Sequence, residues 1–396
     1  MMVGQAEITA AGRPILILGA FGSFGRRITE ALARTTDLPL IAAGRRIPAQ
    51  LPDPWDGVNA LATDAATLSV GDLRQLNPAL LIDAVGPFQS RDRRLAKICI
   101  GLGIHYIDLG DGREFVESVD ELNDAALQNG VLVVSGASTV PALSSAAIDF
   151  LAPAFSAIEE IEIGIAPGYL GPRGLATIRS ILGYTGRAIP IWRNAKIERA
   201  YGWSDTRLHR YPPPVGLRYL SLVDVPDTAL IPLRLPRLTQ LSIRAGLEVP
   251  LVHHMLRGLG FLVRRGLIRD LARHAPALQG IASWFNRLGS DNGAMHVLLR
   301  GADAHGHPHA CTWTLIAEHG DGPQIPATAA VVLAKKLLGV SGYSPIDTRG
   351  AMPAVSLLNL QEFEREWRSL SIRSVVRTGA PAGRATAAAT AISRAT

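Results

Sequence analysis

Four aliphatic residues in a row, Ile15 to Leu18, run directly into Gly19, Gly22 and Gly25, and behind the glycines Ile28 and Leu32 fall on one face of a helical repeat. An unbroken apolar run predicts a strand buried on both sides, and the four-residue spacing predicts an amphipathic helix, so the segment reads strand, tight turn, helix. The alternation recurs. Residues 38–46 predict a second strand ending at Gly44-Arg45-Arg46, 58–64 a third and 79–88 a fourth, with a polar helix near Leu73 between the last two. A helix over 91–103, a fifth strand over 104–110, a helix over 113–130 ending on glycine and a sixth strand over 131–136 complete the series. Strands alternating with helices in this way predict an α/β fold, a Rossmann-type doubly wound parallel sheet, over residues 1–136.

From residue 137 the pattern changes. Residues 158–168 alternate apolar and charged side chains, as a half-exposed strand does, and 295–322 read as a hairpin, so a second, α+β domain is expected over 137–345. The proline-rich stretches 210–220 and 223–238 predict an extended excursion, because proline cannot serve a central strand or a helix interior. Residues 250–288 predict amphipathic helices in which Arg257, Arg264, Arg265, Arg269 and Arg273 punctuate a leucine-rich run. A C-terminal segment, 346–377, follows, and 378–396 carry few bulky apolar residues, which predicts a disordered tail. No internal repeat is present.

Composition narrows the class. An apolar fraction of 47 % with 19 % charged residues belongs to a packed globular protein. Cys99 and Cys311 have no neighbour at metal or redox spacing, which predicts reduced thiols and a cytoplasmic setting. The first residues lack the basic end and apolar stretch of a signal peptide, and no apolar run reaches membrane-spanning length. A formal charge of +6 comes from scattered arginines without interleaved aromatics, so no nucleic-acid partner is expected. Cationic amphipathic helices can nonetheless lie on a membrane surface. The expectation is therefore a cytoplasmic protein, peripheral on the inner membrane face if 250–288 meets lipid, and a homodimer if those helices meet a second copy.

The chemistry follows from the first strand. Glycines at 19, 22 and 25 let backbone approach a pyrophosphate, and the amides opening the next helix favour its charge, so Gly19, Phe21, Gly22, Ser23, Phe24 and Gly25 are candidate dinucleotide ligands. Where an acid would pair the ribose 2′-hydroxyl of NAD, the second strand ends in Arg45 and Arg46, which suit the 2′-phosphate of NADP. Asp64 ends the third strand, and Val85, Gly86, Pro87 and Phe88 form a rigid loop at the carboxyl end of the fourth, where the nicotinamide ribose is expected. Ser138 precedes a helix and either caps it or faces the nicotinamide.

In the fifth strand, Tyr106 and Asp108 share a face near the expected cleft, together with His105, Asp111, Arg113 and Glu114 in the same segment. Tyr106 and Asp108 are the candidate proton donors for a hydride transfer, though Asp108 equally suits a helix cap. Gly171, Arg173, Gly174 and Thr177 make a second glycine-lined helix start, a candidate anion site or a plain cap. His305, His307, His309 and Cys311 cluster at a hairpin tip marked by Gly306 and Pro308, and no metal is expected there.

The ordered motifs GAFGSFGRR, AAGRR, AVGPFQ and HYIDLGDGREF resemble those of the saccharopine dehydrogenase-like oxidoreductases, firmly over roughly the first 150 residues and more loosely beyond. The resemblance implies a Rossmann domain, a dehydrogenase-like α+β domain, NADP as cofactor and a small-molecule substrate. It leaves the substrate open, since the family includes enzymes of amino-acid conjugates and polyamines and, in one branch, trans-acting enoyl reductases of lipid metabolism. Asp92 stands where many relatives carry glycine after the V-G-P-F loop.

Overall fold

The computed structural model describes residues 12–379 apart from Asp56 and Arg173. The N-terminal region alternates strands β1 (Ile15–Leu18), β2 (Leu40–Gly44), β3 (Asn59–Ala62), β4 (Leu80–Asp83), β5 (His105–Asp108) and β6 (Leu132–Ser135) with helices α1 (Ser23–Thr35), α2 (Val70–Leu76), α3 (Arg94–Gly101) and the short α4 (Arg113–Glu117) and α5 (Asn123–Gln128). Every pairing in this sheet is parallel. Successive residues of β1 point to opposite faces and both faces are covered, which is why the run carries no polar position. Ile15 and Ile17 pack toward Ile28 and Leu32 of α1, and Leu16 and Leu18 toward Leu73 of α2 and Leu95 and Cys99 of α3.

After α6 (Ser144–Leu151) a second, mixed sheet is built from β7 (Ala157–Ala166), β8 (Ala188–Arg193), β9 (Lys196–Tyr201), β10 (Arg207–Arg210), β11 (Leu217–Leu222), β12 (Gln240–Ala245), β13 (Gly293–Ala302) and β14 (Pro308–Ala317), with helices α7 (Leu175–Tyr184), α8 (Asp227–Arg234), α9 (Pro250–Arg264), α10 (Ala275–Ser283) and α11 (Ile325–Leu337) in the connections. The chain then returns to the first sheet as β15 (Gly350–Pro353), forms α12 (Leu360–Glu366), and ends in the second sheet as β16 (Ile372–Gly379). The first sheet has the order β15-β6-β5-β4-β1-β2-β3, and the second runs β10-β11-β12-β7-β13-β14-β16 with β8 and β9 joined beside β12. Ile161 and Ile163 of β7 and Val297 and Leu299 of β13 share one core with Val331 to Leu333 of α11, Ile28 of α1 and Ile15 of β1. That common core fixes the two sheets against each other.

Three expectations need correction. The first sheet is not contained in residues 1–136, because β15 pairs with β6 along Gly350 to Pro353. The proline-rich stretches are not an excursion: Pro212 to Pro214 occupy the turn before β11, leaving Leu217–Leu222 free to pair with β10 and β12, and Pro226 and Pro232 are accommodated at the start and near the end of α8. Thr378 and Gly379, assigned to a disordered tail, close β16, while 380–396 lie outside the described residues.

The tightest contact in the N-terminal region is at the start of α1. A Cβ on Gly25 would stand 2.1 Å from the Gly19 carbonyl oxygen and 2.9 Å from the Ala20 Cα. Gly25→Ala is therefore expected to destabilise the protein by roughly 1–3 kcal/mol, the usual cost of overpacking, read as a lower denaturation midpoint. An unchanged midpoint would mean that α1 does not depend on this close approach.

Candidate functional site

β1 and β4 are neighbours in the sheet although β2 and β3 follow β1 in the chain, so the strand order reverses between them, and ligands of such sheets bind at the carboxyl ends of the strands at that reversal. A cavity of about 740 Å³ opens there. Its floor is the glycine turn: Gly19 adopts φ +75°, a conformation that favours glycine, and a Cβ on it would stand 3.0 Å from the Val85 side chain and 3.1 Å from the Ala84 backbone. Gly22 opens α1 with no side-chain cap, so the first amides of a 13-residue helix face the cavity without an internal acceptor. Phe21, Ser23 and Phe24 complete this wall.

Gly44 leads directly into Arg45 and Arg46, both exposed and lining the cavity, and neither has an ion-pair partner among the described residues. Phe21 lies over Gly44, where a Cβ would come within 2.7 Å of its ring. Asp64 lines the same end, but its Oδ1 accepts from the Ala66 amide at 3.0 Å, which commits the carboxylate to its own turn. At the other end stand Val85, Gly86, Pro87, Phe88, Leu109, Asp111 and Ser138, with Gly174 to Thr177 of the α7 start and Pro326 of α11 closing the cavity from the C-terminal side. Ser138 makes no side-chain cap bond. Gly25 is absent from the lining; its role is the packing contact already described.

Tyr106 and Asp108 do not reach the cavity. Alternation places them on one face as expected, but that face is sealed. The Tyr106 hydroxyl donates to Asp83 Oδ2 at 3.1 Å, and Asp83 pairs with Arg91 at 2.8 Å. Arg91 in turn donates to the Val85 carbonyl at 2.7 Å and lies over the Phe88 ring, so this network props the cavity loop from behind. Asp108 Oδ1 accepts from the Gly110 amide at 2.9 Å, the Gly136 amide at 3.0 Å and Ser135 Oγ at 2.9 Å, with Arg93 3.5 Å from its other oxygen. Burial raises its pKa to about 6 against the pull of Arg93 and those hydrogen bonds. Both residues are scaffold, and Asp108 ties together the two loops that carry Asp111 and Ser138.

Asp111 is the acid at the Val85–Phe88 end of the cavity, opposite Asp64. Its Oδ2 accepts from Ser180 Oγ of α7 at 2.7 Å and its Oδ1 from Gln89 Nε2 at 3.2 Å, while Gln89 also donates to Ser180. Removal from water pushes the Asp111 carboxyl above the ordinary carboxylate range, only partly offset by the Ser180 and Gln89 bonds. The neighbouring Arg113 is engaged elsewhere, with Asp224 at 2.8 Å. Position in the loop after β5 was the available signal for Asp111; which of the three acids in that segment faces the opening depended on how the loop turns. Asp92 accepts from the Arg94 amide at 3.2 Å, in the turn that leads into α3.

Residues 15–134 match the model of the saccharopine dehydrogenase NADP binding domain. That stretch belongs to this family. The match ends within β6, so it covers the glycine turn, both arginines and the Val85–Phe88 loop of the saccharopine dehydrogenase-like NADP-binding domain, and leaves out the second sheet. No curated protein matches the chain. Among solved structures the chain is similar to apo saccharopine dehydrogenase (L-Glu forming) from Saccharomyces cerevisiae, with 14 % identity over 92 % of this chain and 100 % of that one and a TM-score of 0.62. It is also similar to homospermidine synthase from Legionella pneumophila, solved with NAD, with 11 % identity over 97 % of this chain and 95 % of that one and a TM-score of 0.58. At such identities the likeness is one of fold, and it spans both sheets.

A second cavity, about 290 Å³ and lined mainly by apolar side chains, lies on the next turns of α7. Gly174 to Thr177 line the first cavity, and Ile178, Ile181 and Leu182 line the second together with Val252, Met255 and Leu259 of α9 and Leu278 and Ile281 of α10. The two share no lining residue, so α7 is a partition between them and not the wall of one open channel. Of the proposed anion site, Gly174 and Thr177 face the first cavity, Gly171 faces the second, and Arg173 lies outside the described residues.

Proposed function

We propose that the protein is an NADP-dependent oxidoreductase acting on an apolar small molecule, carried above all by one observation: a glycine-floored cavity with free arginines at one end and a desolvated carboxyl group at the other. The cavity volume lies within the roughly 300–1,000 Å³ of small-molecule sites, and the uncapped start of α1, the Gly19 turn and the unpaired arginines fit a dinucleotide. Gly22 to Phe24 would hold the pyrophosphate, Arg45 and Arg46 the 2′-phosphate, and Val85 to Phe88 with Ser138 the nicotinamide end. The bound cofactor supplies or accepts the hydride. Asp111 holds the proton, and Ser180 and Gln89 fix the direction in which its carboxyl points.

Preference for NADP over NAD rests on the two guanidinium groups and on the absence of a free acid at the end of β2. NADPH is expected to bind at least about tenfold more tightly than NADH, a difference of about 1.4 kcal/mol. Replacing Arg45 and Arg46 together by alanine removes the preference, measured by calorimetry with each dinucleotide. Equal affinities in the unaltered protein would contradict this reading.

Asp111→Asn is expected to slow NADPH oxidation by about 10²–10⁴ with NADPH affinity kept within a few-fold, assayed with long-chain enoyl and carbonyl acceptors. Since the protonated acid donates, reduction in the unaltered protein falls as pH rises through a pKa above the usual carboxylate range, and Asp111→Asn flattens that limb. Full activity of Asp111→Asn would remove the acid from the mechanism.

The apolar substrate is inferred from α9 and α10. The segment from 250 to 288 exposes Leu251, Met255, Phe261, Leu267, Trp284 and Leu288, with Trp284 at 79 % exposure. Arg257, Arg264, Arg265, Arg269, Arg273 and Arg287 surround these side chains, none in an ion pair among the described residues, and Asp270 is the single acid from 250 to 288. No helix among the described residues is long and apolar enough to cross a membrane. A surface of this kind suits an anionic bilayer. Vesicles containing phosphatidylglycerol should float the protein at low salt and release it at high salt, and Trp284→Asp should weaken flotation. Failure to float, or a dimer that buries Trp284, would overturn the lipid reading.

A further inference from the structure

The outer face of the second sheet, turned away from the shared core, carries a constellation that the cofactor cavity does not use. Ile161 and Ile163 of β7 and Val297 of β13 point into the core; Glu162 and His296, on the alternate positions, point the other way. His296 is fully buried, and its imidazole fills the space above Gly164, where a Cβ would come within 2.2 Å of the ring. The edge strand β10 brings His209 onto the same spot, its ring 3.9 Å from that of His296. One nitrogen or oxygen of each of Glu162, His209 and His296 lies within 4.8 Å of the others.

We propose that Glu162, His209 and His296 form a binding site for a first-row divalent cation of the zinc class, which staples β10 to β7 and β13. Two imidazoles and a carboxylate are a donor set for zinc, cobalt or nickel and a poor one for magnesium or calcium. Metal–ligand bonds of about 2.0–2.1 Å in a tetrahedral site place adjacent donor atoms about 3.3 Å apart. His296 Nε2 and Glu162 Oε1 are 3.3 Å apart. The Tyr211 hydroxyl lies 2.9 Å from His296 Nδ1 and so directs Nε2 toward Glu162, the outer partner that ligating histidines characteristically have.

His209 is the adjustable ligand. Its ring lies parallel to His296 within 7°, a stacking that a shared cation would open, and as a half-buried side chain on an edge strand it has room to turn. Arg207, 3.9 Å from Glu162 Oε2 and half exposed, is the competing cation that the ion would displace.

The hairpin tip is the rival source of metal affinity, because exposed His305 and His307 lie with ring centres 6.1 Å apart and Asp303 stands 3.7 Å from His307. The full chain, stripped with a chelator, is titrated with cobalt(II) while the visible absorption is recorded. One equivalent is expected to develop tetrahedral d–d bands that zinc abolishes, and zinc should raise the thermal midpoint. His209→Ala and Glu162→Gln should each weaken cobalt binding at least tenfold and remove the thermal shift. His305→Ala with His307→Ala should leave both unchanged. Absence of the one-equivalent transition, undiminished binding in His209→Ala, or loss of binding in the hairpin double variant would each overturn the site. His209 is half buried on an edge strand, so its variant is expected to fold, and its circular dichroism checks this.

Discussion

A helix can set its amino end directly over the carboxyl end of the strand before it only if nothing larger than hydrogen stands where the two cross. Gly25 against the Gly19 carbonyl meets that condition in this chain. Because the contact holds, the first amides of α1 converge on one point, and the turn from Gly19 to Phe24 becomes a concave surface instead of a loop standing clear of the sheet. The rest of the candidate site is arranged around that surface. Arg45 and Arg46 reach it from the end of β2, and the Val85–Phe88 loop faces it from β4.

The buried polar groups serve the same geometry from behind. Burying a carboxylate is costly unless hydrogen bonds and charge compensate, and Asp83 and Asp108 are compensated by groups that belong to cavity loops. Asp83 gathers Tyr106 and Arg91, and Arg91 holds the Val85 carbonyl; Asp108 gathers the amides of Gly110 and Gly136. Asp111, two residues beyond the Gly110 loop's start at Leu109, faces the opening because that loop is pinned. Asp108, one of the two proton donors expected from the sequence, thus positions Asp111.

How much of this was legible follows from the range of each interaction. The β1–α1 unit, the arginines ending β2 and the loop after β4 are local signals, written in consecutive residues, and the sequence reading of them coincides with the cavity lining except at Gly25. Alternation placed Tyr106 and Asp108 on one face of β5, but what covers a face depends on Arg91, Arg93 and β6, which are distant in sequence. The pairing of β15 with β6 joins residues more than 200 positions apart and leaves no local trace. Prolines misled where they stand beside elements: those at 212–214 precede β11, and Pro226 begins α8. Glu162, His209 and His296 come from three strands, so no spacing could reveal them.

The measurement that bears most directly on the account is a structure of the protein with NADP⁺. The pyrophosphate is expected on the free amides that open α1 at Ser23 and Phe24, the 2′-phosphate between Arg45 and Arg46, and the nicotinamide between Phe88 and Ser138 with Asp111 at its edge. A dinucleotide seated away from the glycine turn, or seated there with its nicotinamide remote from Asp111, would contradict the account.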